Sequence, residues 1–164
     1  MKIWLNCRKA YERLKGGYKI HVASKRVKIY YPNGTHVNVY GKSLSMSTLV
    51  TILCNGNGHI PARPFLTDAP RQLRHEFIKI LREHTDALLR NAQNVNDLGE
   101  IFVNFDADSV SLKITNLIKQ WLFDGSYYRA KVPNAPKTIR NKGSDVPLVE
   151  TGTLVNSLTA KIEE

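Results

Sequence analysis

Side chains that could carry catalysis are present in this chain, but they are not grouped as catalysis needs. Cys54 and His59 offer a nucleophile and a base, yet a separation of five residues fixes no contact, and no third group is placed to orient the imidazole. The five histidines, His21, His36, His59, His75 and His84, form no His-Glu-x-x-His array and have no cysteine at zinc spacing, so no metal site is expected. Asn55-Gly-Asn-Gly-His59 has the glycines of a phosphate loop without its Lys and Ser or Thr, and it reads as a glycine turn after a strand. Asp106 and Asp108 suit a helix entry better than a catalytic pair. Neither an enzyme nor a cofactor nor a small-molecule substrate is expected.

Two other groups could bind rather than react. Tyr127, Tyr128, Arg129 and Lys131 mix rings with cations, as single-strand binders do when bases stack inside a charged groove. No recognised nucleic-acid motif accompanies them, and a loop root pinned by two tyrosines is the preferred reading. In Ile60-Pro-Ala-Arg-Pro-Phe-Leu66, Pro61 and Pro64 force their predecessors into extended backbone, so Arg63 is held stiffly between them. An arginine fixed in this way is suited to grip a carboxylate. Phe65 then enters the core ahead of a helix.

The chain has 164 residues, 42% of them hydrophobic, enough for one core without disulfides or metal. Its two cysteines, Cys7 and Cys54, have no redox or metal spacing. No apolar run has the length of a membrane span and Met1-Lys-Ile-Trp-Leu5 is unlike a secretory signal, so a soluble protein made in a cytoplasm is expected. The net charge of +10 attracts polyanions and acidic surfaces. Residues 1 to 42 carry ten Lys or Arg against Glu12 alone, and Gly125 to Ser144 carries Arg129, Lys131, Lys137, Arg140 and Lys142 without an acid. Solvated faces explain such blocks, and so does a channel that passes DNA.

The elements that position these groups follow from periodicity. A single α+β domain is expected, a small antiparallel sheet packed by two longer helices, with a long basic C-terminal loop and a short terminal helix. Residues 1–17 read as a short helix through Trp4, Leu5, Tyr11 and Leu14, stopped by Gly16-Gly17. Residues 18–66 read as strands. Tyr31-Pro-Asn-Gly-Thr35 is the hairpin signal between period-two runs, and Leu49-Val-Thr-Ile-Leu53 reads as a further strand. Residues 67–124 hold two amphipathic helices. The first runs from about Asp68 to Ala92, capped by Thr67 or Asp68, and the second is capped near Asp108, buries Val110, Ile114, Leu117, Ile118 and Trp121, and ends at Asp124-Gly125. Residues 125–164 form an extended arm. Ser126 to Val149 shows no periodicity, and a loop of that length implies a function or a partner that orders it. Pro147-Leu148 closes the loop, Glu150 or Thr151 caps the last helix, Gly152 permits close backbone approach, and Leu154 and Leu158 return to one face before a final strand.

Read together, the two motifs resemble the virion morphogenesis or tail completion family of tailed bacteriophages. That family has an I-P-x-R-P-F segment before a long helix. Later comes P-N-x-P-x-T-I-x-x-K-G-S-x-x-P-L-x-D-T-G-x-L-x-x-S-I. Pro133, Asn134, Pro136, Thr138, Ile139, Lys142, Gly143, Ser144, Pro147, Leu148, Thr151, Gly152, Leu154 and Ser157 match it in order, while Glu150 and Leu158 replace the usual Asp and Ile. The likeness spans about Asn55 to Leu158. It implies a non-enzymatic structural protein of the virion neck or tail end, assembled as a homo-oligomeric ring between the head connector and the tail terminator or tail tube, with non-specific contact to genomic DNA possible. Arg63, Pro64, Phe65, Tyr127, Tyr128, Arg129, Lys131, Asn134, Pro136, Lys137, Ile139, Arg140, Lys142, Pro147, Glu150, Thr151 and Gly152 are the expected assembly residues. Ile139 would anchor the arm on a neighbour, where Arg140 and Lys142 meet acidic groups, and Arg63 would pair with Glu150 because that residue sits in the second motif. A small basic nucleic-acid-binding protein is the alternative, and a hydrolase using Cys54 and His59 the remote third.

Overall fold

A computed structural model describes residues 2–4, 26–32, 34–39, 42–91 and 106–163. Among them the chain is a mixed α+β fold of two small antiparallel sheets and seven helices, as the sequence leads one to expect. In the first sheet β2 (Arg26–Tyr30) lies between β1 (Lys2–Trp4) and β5 (Thr159–Glu163). The register sets Lys2 opposite Lys28 and Tyr30 opposite Thr159, so segments from both ends of the sequence meet on one central strand. The second sheet pairs β3 (His36–Val39) with β4 (Lys42–Ser45), His36 facing Ser45.

Three expectations about this half change. Lys2 to Trp4 form β1 and not part of a helix; residues 5–25, which hold the rest of the expected helix, the start of the expected strand region and Cys7, lie outside the described residues. The expected turn falls at Gly34, at φ 82°, with the Thr35 N–H donating to the Pro32 carbonyl over 3.4 Å, but the strands on either side belong to different sheets. Leu49–Leu53 is not a strand: it lies inside α1 (Met46–Asn55). Ser45 caps that helix by accepting the Thr48 N–H at 3.2 Å, and Met46 and Val50, four apart, are buried. Burial at helical spacing overrides the strand preference of Val50, Thr51 and Ile52.

The single long helix expected after Leu66 is two, α2 (Phe65–Gln72) and α3 (Arg74–Asn91). α2 begins at Phe65 after Pro64 and has no side-chain cap, so neither Thr67 nor Asp68 has the capping role given to it. Pro70 lies inside α2, where its ring removes a donor and crowds the preceding turn, and Leu73 at φ −92° and ψ 15° closes the helix.

α4 (Ala107–Asp124) matches its sequence reading closely. Asp106 is the cap, accepting the Ser109 N–H at 2.9 Å, and Gly125 at φ 63° ends the helix. Val110, Ile114, Ile118 and Leu122 make one buried stripe, while Leu117 and Trp121 are half-buried at its margin. This stripe shares one core with Phe65 and Ala69 of α2, Leu73 between α2 and α3, and Phe77 of α3, together with Leu154, Val155, Leu158 and Ala160. Thr115 joins helix to sheet, its buried hydroxyl accepting the Ala160 N–H at 2.9 Å and donating to the Ser111 carbonyl at 2.8 Å.

The arm from Ser126 to Val149 is not without structure. It forms α5 (Ser126–Lys131) and α6 (Pro136–Lys142), and it is tied to its own body. The chain ends in α7 (Thr153–Asn156) and β5, in the expected order.

Candidate assembly site

Arg63 is the centre of the contact between the two sequence motifs. The turn before it is rigid because the Gly56 N–H caps α1 on the Ile52 carbonyl while Asn57 Oδ1 accepts the His59 and Ile60 amides, each over 2.8 Å. Gly56 is required there: at φ 71°, a Cβ would lie 2.7 Å from the Ala62 nitrogen and 2.8 Å from the Ile60 oxygen. The Arg63 N–H then donates to the Leu53 carbonyl at 2.8 Å, which fixes the side chain's origin.

From that origin Arg63 Nε donates to the Val132 carbonyl at 3.0 Å, and Nη2 donates to the Pro133 carbonyl at 3.1 Å and to Asn134 Oδ1 at 3.2 Å. The side chain is only 6% exposed. Burial pulls its pKa down, with a smaller opposing influence from Tyr128, but a guanidinium stays charged in proteins. The expected carboxylate partner is therefore wrong: Arg63 grips the backbone entering α6, and Glu150 is exposed. Carbonyl oxygens prevail because Val132 and Pro133 deliver two backbone acceptors, and Asn134 a side-chain amide, to one planar fork. Asn134 continues the tie by donating from Nδ2 to the Asp145 carbonyl at 3.0 Å.

Lys142 closes the other end of the loop. Its ammonium donates to the carbonyls of Val146 and Val149. Burial, the largest influence, and the nearby Arg63 lower its pKa, while Glu150 and Asp145 oppose that. Lys142 is thus spent within its own chain, against the expectation that it meets a neighbour. Pro147 is buried, and Leu148 sits in the left-handed region at φ 62°, a strain of about 1–3 kcal/mol that the anchors on either side must hold.

The aromatic group beneath this loop supports the pinning role of the tyrosines. Tyr128 is buried and donates from its hydroxyl to Asp68 Oδ2 at 2.9 Å. Desolvation, then the Asp68 contact, raises its pKa. Lys131 reaches the same Asp68 oxygen at 3.6 Å and donates to the Tyr127 hydroxyl at 2.7 Å. Tyr127 packs tilted on Trp121 with centroids 5.3 Å apart and edge-on to Tyr128 at 5.0 Å. Both rings have protein neighbours, which leaves Tyr128 unavailable as a stacking platform. Arg129 donates to the Asp124 carbonyl at 2.7 Å and faces Asp145 at 3.4 Å.

No family model, no curated protein and no solved structure matches this chain.

The remaining candidate residues divide between packing and display. Phe65 is fully buried, and Pro64 is half-buried at the start of α2. Gly152 is buried at φ 77° and precedes α7; a Cβ there would meet Asn156 Nδ2 at 3.2 Å. Thr151 Oγ1 takes the Thr153 N–H at a long 3.4 Å, so the expected cap by Glu150 or Thr151 is replaced by Gly152 itself. Pro136, Lys137 and Arg140 are exposed on α6 and Ile139 is half-buried. Asp68, Asp145 and Trp121 were missed as site residues. Tyr127 and Lys131, four apart, signal one helix face, but the sequence gives no hint that Asp68 lies under it.

Cys54 is half-buried, and burial pushes its thiol above the ordinary value, while His59 is exposed on the 57–60 turn. That environment does not favour a thiolate nucleophile. Among the described residues no three His, Cys, Asp or Glu side chains are grouped as metal ligands, and no helix is long and apolar enough to cross a membrane.

Proposed function

We propose that this chain is a structural protein of a tailed-phage virion, a tail completion or head-to-tail joining protein that assembles as a ring between head connector and tail terminator or tube. The observation that carries the reading is the Arg63 fork on Val132, Pro133 and Asn134. It gives the spacing of the two family-like motifs a physical purpose, since the arginine of the first motif holds the Pro-Asn of the second. The body of the protein then acts as a frame, and the loop from Val132 to Val149 is what it presents to neighbours. The chemistry is docking, and no bond is made or broken.

Purified protein mixed with DNA-filled heads and with separate tails, then sedimented, tests the reading. Joining requires that it travel with one of them in a fixed multiple. A protein that remains free of both, and never forms an oligomer on either, is not a neck component.

A nucleic-acid-binding role is the second reading, favoured by the charge of residues 1–42. That segment has ten basic residues and one acidic, a net of +9, so the other residues together contribute only +1 of the total of +10. Contact with phosphate would then belong to that end of the sequence and not to the arm.

A further inference from the structure

The first sheet turns one face to the core and the other away from it. Ile29 of β2 and Ala160 of β5 are register partners, only 6% and 5% exposed, and both belong to the core. Successive residues of a strand alternate between faces, so Lys28, Tyr30 and Lys161 lie on the outer side. Lys161 is exposed there, and Lys28 and Tyr30 are half-buried.

The ladder aligns lysines on that side. Lys2 of β1 is the partner of Lys28, and Lys28 is in turn the partner of Lys161. Three lysine positions therefore form a row across all three strands. Adjacent strands are about 4.8 Å apart, which makes the row about 10 Å long. Arg26, two residues before Lys28, is a fourth basic position on the same side, and its partner Glu163 is the one acidic position there among the described strands. Like charges directly opposite one another work against a sheet, and this register sets two such pairs side by side. A ring lies among the cations: the Lys161 ammonium stands 5.8 Å from the centre of the Tyr30 ring.

We propose that the outer face of this sheet, along the row Lys2, Lys28 and Lys161, binds the sugar-phosphate backbone of nucleic acid without regard to sequence. About 10 Å is the length over which one strand of a duplex presents about three phosphates, so the row matches the repeat of the charge as well as its sign. Contacts of this kind position a protein on nucleic acid and carry no sequence information. A ring among the cations suits nucleic acid better than an acidic protein surface, since it adds a contact for a base. The inference deepens the nucleic-acid reading above and rests on it, by giving phosphate contact a place in the fold.

The test follows binding of a short fluorescent duplex DNA to the full chain by anisotropy, at salt concentrations from about 50 to 200 mM. The logarithm of the affinity should fall with the logarithm of salt at a slope of about −2.7 or steeper, from about −0.9 for each of three phosphates. Lys28→Gln and Lys161→Gln should each bring the slope nearer to zero by about 0.9, while Lys161→Arg keeps it and Lys137→Gln on α6 leaves it unchanged. Circular dichroism checks that each variant is folded, and the exposed Lys161 keeps the test decisive if half-buried Lys28 is needed for folding. Binding with a slope that neither substitution changes, or that Lys137→Gln changes equally, would overturn the proposal and leave the nucleic-acid reading standing. No binding at about 50 mM salt would overturn both. Polyglutamate that binds as tightly as the duplex, with the same loss in the variants, would assign the face to acidic protein and overturn the proposal as well.

Discussion

Replacing Arg63 by Ala should loosen the loop from Val132 to Val149 before anything else in the fold. The side chain makes three hydrogen bonds from a position that is 6% exposed. At a net value of about 1 kcal/mol for each, the loss is about 3 kcal/mol. The figure stays below the full cost of three orphaned acceptors because the Val132 and Pro133 carbonyls lie at a loop entry that water can reach after relaxation. In a chain of this size about 3 kcal/mol lowers the melting temperature by about 6–12 °C. Arg63→Lys keeps the charge but lacks the fork, and should recover about one of the three bonds. Urea unfolding followed by circular dichroism reads the magnitude, and hydrogen exchange reads the place: protection should fall over residues 132–146 more than in α4. A double-mutant cycle with Asn134→Ala should show coupling of about 0.5–1 kcal/mol or more, whereas a cycle with Glu150→Gln should be additive within about 0.5 kcal/mol. A cost below about 0.5 kcal/mol for Arg63→Ala, or coupling to Glu150 and not to Asn134, would refute the Arg63 fork as the anchor of the loop.

Other perturbations follow from the same contacts. Tyr128→Phe removes the hydroxyl that donates to the buried Asp68 carboxylate and should cost about 1–3 kcal/mol in urea unfolding, while Lys131→Met, at the exposed end of the same cluster, should cost less than Tyr128→Phe. Gly125→Ala should destabilise by more than about 1 kcal/mol, since the new Cβ would lie 2.6 Å from Val146 Cγ1 at a φ of 63°; an unchanged melting temperature would refute that account of the α4 terminus. Lys142→Met should increase proteolytic cleavage within residues 143–149 while α4 stays protected, since two carbonyls lose their donor. The Asp124 carboxyl is held below its ordinary value by hydrogen bonds from Ser126, so its contribution is complete above pH 3.8 and lost as pH falls through the lower folded value; Asp124→Asn should remove that part of the acid dependence.

The sequence was most legible where local pattern and packing agree. α4 ends on its expected glycine and buries Val110, Ile114 and Ile118 as read, while its cap is Asp106 and Leu122 takes the buried place given to Leu117 and Trp121. The Asn-Gly turn was equally visible, but its strands take long-range partners: β2 is sandwiched by segments from the two ends of the chain, a choice that no local signal encodes. At Leu49–Leu53 the β-branched residues pointed one way, and the burial of Met46 and Val50 decided the other. The arm hid its helices because periodicity reports burial, and no residue of α6 is fully buried. For Arg63 the stiff, low-entropy setting between prolines was readable, and its role as a grip was anticipated. The partner was not, because backbone carbonyls are present at every residue and carry no signature in sequence. Asp68 was hidden for a related reason: an Asp near a helix start reads as a cap unless one knows that Tyr128 lies above it.

The central claim, that this chain joins head to tail, is tested most directly by electron micrographs of a lysate made without it. If the chain has the proposed joining role, that lysate should hold DNA-filled heads and detached tails, with joined particles restored when the purified protein is added. Normal joined virions in that lysate would contradict it.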